Sequence, residues 1–261
     1  MRKKLIAGNW KMHLDTHEAS LLVHRLQEHI KAYSDVEIVL APSLLTLQPI
    51  SLEIDRRRFR LAAQNAYYKD EGGFTGEVSF TMLRGLVHYC IIGHSERRIY
   101  FNEDSDMIRD KVAAAVRNEI TPILCVGETK QEKQAGETKR VLHDQVTTAL
   151  SELTEAEIGD IVIAYEPVWA ISNFGGEYAK PKDVQTAIDH IRYEIAELYG
   201  KKVADRVRVL YGGSVNEDVA AGYLELPGCD GALVGSASLN YKSFAAIVTS
   251  AHKVNAAAAK H

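Results

Sequence analysis

The chain has little of several things, and each shortage removes a class of function. Only three cysteines occur in 261 residues, Cys90, Cys125 and Cys229, an odd number set among apolar neighbours. That suits buried, reduced thiols rather than a disulfide framework, and a reducing compartment such as the cytoplasm. Positive charge is not in excess: 31 Lys and Arg stand against 35 Asp and Glu, a formal net charge of -4. A nucleic-acid partner, which demands a basic surface, is therefore not expected. No apolar run approaches the roughly 18 residues of a membrane span, so no membrane partner is expected either. The opening MRKKLIAGNWK loses its apolar character too early for an export signal. Among the ten histidines there is no HExxH or HxxEH pair, no cysteines have zinc-ligand spacing, and no cofactor motif appears. Neither a metal nor an organic cofactor is expected. No Pro-, Gly- or Ser-rich linker, charge block or short repeat divides the chain, which predicts one domain over residues 1–261.

What is present is regular. Short apolar runs recur at 5–9 (LIAGN), 38–42 (IVLAP), 61–65 (LAAQN), 91–95 (IIGHS), 123–128 (ILCVGE), 161–166 (IVIAYE), 208–213 (RVLYGG) and 232–236 (ALVGS). Dense in Val, Ile, Leu and Ala without polar alternation, they read as parallel strands covered on both faces. Amphipathic stretches lie between them. In Ser105 to Asn118, Ile108, Val112 and Val116 share a stripe, with Asp104 or Ser105 as the cap. Pro181 to Tyr199 repeats the scheme, with proline in the first turn and Val184, Ile188, Ile191 and Ile195 along one side. Eight strand and helix units predict an α/β fold, a closed (β/α)8 barrel of eight parallel strands with outer helices; a doubly wound open sheet is the alternative.

The barrel reading organises the polar residues. Asn9, Lys11, Gln64, Asn65, His94, Glu128, Glu166 and the turns YGGS (211–214) and VGSAS (234–238) all follow strand ends. They are expected on one rim, the carboxyl face on which barrel enzymes assemble their sites. A carboxylate such as Glu166 can remove a proton from carbon beside a carbonyl if donors stabilise the charge that develops on oxygen. Lys11 offers a cation, and His94 and Asn9 offer directed hydrogen bonds, a set suited to enolisation and reprotonation at the neighbouring carbon. The glycine turns after the last two strands can present N–H groups to an anion, most naturally a small phosphate. Each residue alone has a plainer use: a satisfied structural His, solvated charges at Lys11 and Glu166, a turn-forming Asn9, ordinary glycine turns. Their convergence carries the reading. Cys125 reads as core, with no base evident beside it.

The motifs AGNWKM (7–12), AQN (63–65), GGFTGE (72–77), IIGHSERR (91–98), TPILCVGET (121–129), AYEPVWAI (164–171), YGGSVN (211–216) and DGALVGSASL (230–239) resemble the triosephosphate isomerase family, in order and over nearly the whole chain. The resemblance implies a TIM barrel without cofactor that interconverts dihydroxyacetone phosphate and D-glyceraldehyde 3-phosphate through an enediolate. It implies Glu166 as the proton shuttle, His94 as a neutral electrophile beside a helix N-terminus, Lys11 as the cation that stabilises the enediolate and attracts the dianionic substrate, and Asn9 as an orienting group, the roles these groups hold in the family. Phosphate would meet amides near Ser172, Ser214, Gly235 and Ser236. Ile171 and Leu233 would clamp the carboxylate, with Glu96 and Arg97 in support. A lid after Ile171 would exclude water. The GGFTGE loop implies a homodimer in which Thr75 reaches the partner's site.

The chain departs from the family pattern in that lid. SNFGGEYAKP (172–181) is about two residues longer than usual by inspection, Ser172 stands where a glycine is common, and Ser236 replaces a second glycine. A longer lid leaves open an isomerase for a four-carbon ketose phosphate of the erythrulose phosphate type. A third expectation is a catalytically idle barrel that binds a phosphorylated metabolite, since fold does not dictate function.

Overall fold

The computed structural model describes residues 2–171 and 177–258. Eight parallel strands, β1 (Lys4–Asn9), β2 (Val36–Ala41), β3 (Phe59–Ala63), β4 (Tyr89–Ile92), β5 (Thr121–Val126), β6 (Val162–Tyr165), β7 (Arg208–Tyr211) and β8 (Gly231–Val234), pair in chain order. The ring closes where β8 returns to β1, with Leu5 opposite Gly231 and Gly8 opposite Val234. Closure leaves no sheet edge and sets aside the open-sheet alternative.

Alternation along each strand divides the core in two. Leu5, Val39, Ile91, Ile123, Leu210 and Leu233 belong to the cluster inside the barrel, while Ile6, Ile38, Leu40, Ile92, Leu124 and Ile163 pack outward with the helices. Burial of each such side chain is worth about 1.5–3 kcal/mol. The helix Ser105–Arg117 begins where its cap demands, Asp104 accepting the Met107 N–H at 2.8 Å, and it buries Ile108 and Val112. The helix Pro181–Tyr199 has its proline at the first turn, where no N–H is needed, and buries Val184, Ile188, Ile191 and Ile195. No helix among the described residues is long and apolar enough to cross a membrane.

At the amino end the barrel has a polar floor. The Tyr89 hydroxyl donates to Glu37 Oε1 at 2.9 Å, and the Arg208 guanidinium donates to Glu37 Oε2 at 2.6 Å and to the Tyr89 hydroxyl at 2.8 Å. Burial pushes the Glu37 carboxyl up, but the Arg208 and Tyr89 bonds outweigh it and hold the group below the ordinary carboxylate range.

Candidate active site

The period of two that fills the barrel also aims the site. Leu5 and Ala7 point inward, so Asn9 continues their row at the carboxyl end of β1; Val162 and Ala164 do the same for Glu166 beyond β6. Both are buried, as is His94, which follows β4. A cleft of about 440 Å³ opens here, lined by Asn9, Lys11, His94 and Glu166 together with Gly212 to Ser214, Gly235 and Ser236. Ile171 and Leu233 supply its apolar wall.

Glu166 is held from behind. Its N–H donates to the Val126 carbonyl at 2.7 Å. Two glycines flank it: a Cβ on Gly127 would fall 1.9 Å from the Glu166 carbonyl oxygen, and one on Gly212 would fall 2.7 Å from Glu166 Cγ. A side chain at Gly127 would strike the Glu166 backbone, and one at Gly212 would push the Glu166 side chain aside. The carboxylate divides its attention, with Oε1 3.3 Å from His94 Nε2 and Oε2 accepting the Ser95 N–H at 3.2 Å.

His94 is the N-cap of the helix Ser95–Tyr100, and its Nδ1 accepts the Glu96 N–H at 3.2 Å. A ring nitrogen that accepts carries no proton, so this bond selects the tautomer with hydrogen on Nε2, the atom facing Glu166 and the cleft.

Lys11 sits in the left-handed region at φ +52°, which costs a side-chain-bearing residue about 1–3 kcal/mol. Two side-chain amides hold it there: Asn9 Oδ1 accepts its N–H at 3.0 Å, and Gln64 Nε2 donates to its carbonyl at 2.8 Å. Its ammonium pairs with Glu96 Oε1 at 2.6 Å. A Cβ on Gly235 would lie 3.9 Å from Lys11 Cε, so the turn after β8 lies against the cation.

The remaining predicted residues fall in several places. Ser214 lines the cleft, but its N–H and hydroxyl both donate to the Ala170 carbonyl, at 3.0 and 2.7 Å. Ser236 is exposed on the cleft wall, so its side chain has room. Ser172 and the rest of 172–176 lie outside the described residues. Arg97 turns to Glu103, and Thr75 stands on an exposed loop that lines no part of this cleft. Asn65, expected on the rim, instead accepts from the buried Lys111 ammonium at 2.8 Å. Glu128, also expected there, is buried beside it: Trp169 Nε1 donates to it at 2.9 Å and the Tyr165 hydroxyl at 3.1 Å, and burial pushes its carboxyl up. Cys125 is core as read, yet a base does stand beside it; burial and then the Glu166 charge push its thiol well up.

Sequence reasoning missed three partners. The Ser95 amide was legible as the first turn of a helix starting at His94. The bond from Asn216 Nδ2 to the Tyr178 hydroxyl, 3.0 Å at the cleft rim, had no signal in the sequence. Nor did the packing of Gly212 on Glu166.

The geometry agrees with comparison to known proteins. Residues 4–251 match the family model described as triosephosphate isomerase. The chain is 43% identical over 249 residues to a triosephosphate isomerase of Carboxydothermus hydrogenoformans, covering 95% of this chain and 98% of that protein. It is 45% identical over 250 residues to one of Citrifermentans bemidjiense (95% and 98%) and 42% identical over 249 residues to one of Clostridium perfringens (95% and 99%).

Proposed function

This chain belongs to the triosephosphate isomerase family, and we propose that Glu166, His94 and Lys11 carry its isomerisation of dihydroxyacetone phosphate and D-glyceraldehyde 3-phosphate. The observation that carries this reading is their meeting in one cleft faced by the glycine turns after β7 and β8. Glu166 takes the proton from the carbon beside the carbonyl, leaving an enediolate. The His94 Nε2–H and the Lys11 ammonium meet the charge on oxygen, and Glu166 returns the proton to the neighbouring carbon. Asn9 supports this by fixing the Lys11 backbone. Because Glu166 rests on the Ser95 amide, it leaves that bond to reach substrate. Gly235 and Ser236 present the phosphate turn beside Lys11. The Ser214 amide joins it only after releasing the Ala170 carbonyl, and Ser172 adds its amide from the lid. Ile171 and Leu233 keep water from the carboxylate, and Glu96 restrains Lys11 until substrate arrives.

The four-carbon alternative rested on the longer lid, much of which lies outside the described residues, and the relatives are all named for the triose. The idle-barrel alternative finds no support, since no member of the trio is missing. A coupled assay on triose and tetrulose phosphates side by side tests the reading. Faster turnover of the triose supports it; faster turnover of the tetrulose, or of neither, refutes it.

We further read the chain as one barrel domain that works as a homodimer in the cytoplasm. All three cysteines are free and buried, as suits a reducing compartment. Met12 is 95% exposed and Leu44 52% exposed, both lining a groove of about 240 Å³ beside Lys11. The loop carrying Thr75 is exposed, and its tip is braced by Phe74 N–H to the Gly72 carbonyl and Glu77 N–H to the Phe74 carbonyl, both 3.0 Å. A braced loop and a groove on one chain are self-complementary under two-fold symmetry, and pairing would cover the apolar side chains.

A further inference from the structure

One side chain that lines the cleft takes no part in the proton transfer. Tyr178 borders it together with Ser214, Asn216, Gly235 and Ser236, and is half exposed there. It stands on a held segment. Glu177 before it pairs with Lys130 at 3.2 Å, and Ala179 after it is buried, its carbonyl accepting from the Tyr223 hydroxyl at 2.7 Å. Asn216 then fixes the phenol. Asn216 Oδ1 accepts the Asp218 and Val219 N–H groups at 3.1 and 3.2 Å, which leaves Nδ2 to donate to the Tyr178 oxygen at 3.0 Å. A phenol oxygen that accepts in this way keeps its own hydrogen to give, and among the described residues that hydrogen meets no acceptor.

We propose that Tyr178 is a specificity residue of this chain, donating its O–H to an oxygen of the substrate's phosphate. The inference rests on the cleft being the isomerase site. Tyr178 belongs to the phosphate end because its partner Asn216 follows Ser214 by two residues on the turn after β7, whereas the carbonyl chemistry falls to Lys11, His94 and Glu166. It is also the readier donor there. The N–H and hydroxyl of Ser214 are both spent on the Ala170 carbonyl, while the phenol's hydrogen is free. Accepting from Asn216 strengthens it further, since hydrogen bonds in series polarise one another. Tyr178 lies within 172–181, the stretch in which this chain departs from the family pattern, so the contact is one that the shared motifs do not supply.

Kinetics on glyceraldehyde 3-phosphate and on D-glyceraldehyde, the same triose without its phosphate, isolate this contact. Tyr178→Phe keeps the ring and removes the hydroxyl. The ratio of kcat/KM for the phosphorylated over the bare triose should fall about tenfold in that variant, the low end for a hydrogen bond to a charged group. Competitive inhibition by glycerol 3-phosphate, which cannot enolise, should weaken by a similar factor. Asn216→Asp keeps the oxygen that Asp218 and Val219 need but turns a second oxygen to the phenol, where it claims the hydrogen. Its loss in the ratio should be larger in the parent than in the Tyr178→Phe background, where only its charge acts. An unchanged ratio or unchanged inhibition in Tyr178→Phe, or equal Asn216→Asp losses in the two backgrounds, overturns the inference. Glu166→Asp separates this from the underlying reading: parent-like turnover in that variant removes the base assignment itself, whereas slowed turnover there with an unchanged ratio in Tyr178→Phe removes only the tyrosine's part.

Discussion

Shortening Glu166 by one carbon is the sharpest test of the site, because the structure fixes how the loss must be absorbed. In Glu166→Asp the carboxylate retreats by about 1.5 Å, one carbon–carbon bond. The backbone cannot advance to compensate: its N–H is bonded to Val126 O at 2.7 Å, and the carbonyl oxygen is packed where not even a Cβ on Gly127 would fit. The whole displacement therefore falls on the proton-transfer distance. A misplacement of about 1 Å at reacting atoms costs about 100-fold in rate, or about 2.7 kcal/mol at about 1.36 kcal/mol per tenfold. The expected result in the coupled assay is a kcat lower by about 100-fold or more. KM should hardly move, since Lys11 and the phosphate turns are untouched. A variant that keeps kcat within about threefold of the parent refutes the assignment, and a rise in KM with kcat preserved would make Glu166 a binding group instead.

Other outcomes follow from the same geometry. Gly212→Ala places a methyl 2.7 Å from Glu166 Cγ; kcat should fall by about tenfold or more with circular dichroism unchanged, and a parent-like rate would show that the carboxylate is not confined there. Glu37→Gln removes a carboxyl held below its usual range, so its contribution is present above the unfolded value of about 4.3 and is lost as pH falls through the lower, folded one. Denaturant melts should show the variant less stable by about 1–3 kcal/mol at neutral pH and the gap closing in acid; a gap that widens in acid contradicts the sign. Thr75→Arg adds a charge to the braced loop and should shift sedimentation from dimer to monomer, a parent-like profile arguing against that loop as the contact.

Much of this molecule could be read from its residues, for definite reasons. The strands were legible because both faces are covered, which removes polar alternation and leaves runs such as IVIAY. The Pro181 helix was legible because its proline and isoleucine stripe mark start and inner face together. Inward direction at Asn9 and Glu166 follows from counting by twos. What could not be read depends on atoms brought together by barrel closure. Glu128 ends a strand like the functional residues but turns to Tyr165 and Trp169; one residue's difference in phase decides that. Asn65 is taken by a buried lysine 46 residues away, and Cys125 meets Glu166 only because β5 and β6 are neighbours.

The polar floor of Glu37, Tyr89 and Arg208, with the packed leucines and isoleucines above it, makes the barrel a blind vessel. Whatever arrives by the upper mouth must depart the same way, so the two sugar phosphates share a single berth and neither can queue behind the other. Each is then bound to act as a simple rival of its own precursor, and traffic in either direction slows as the far side fills.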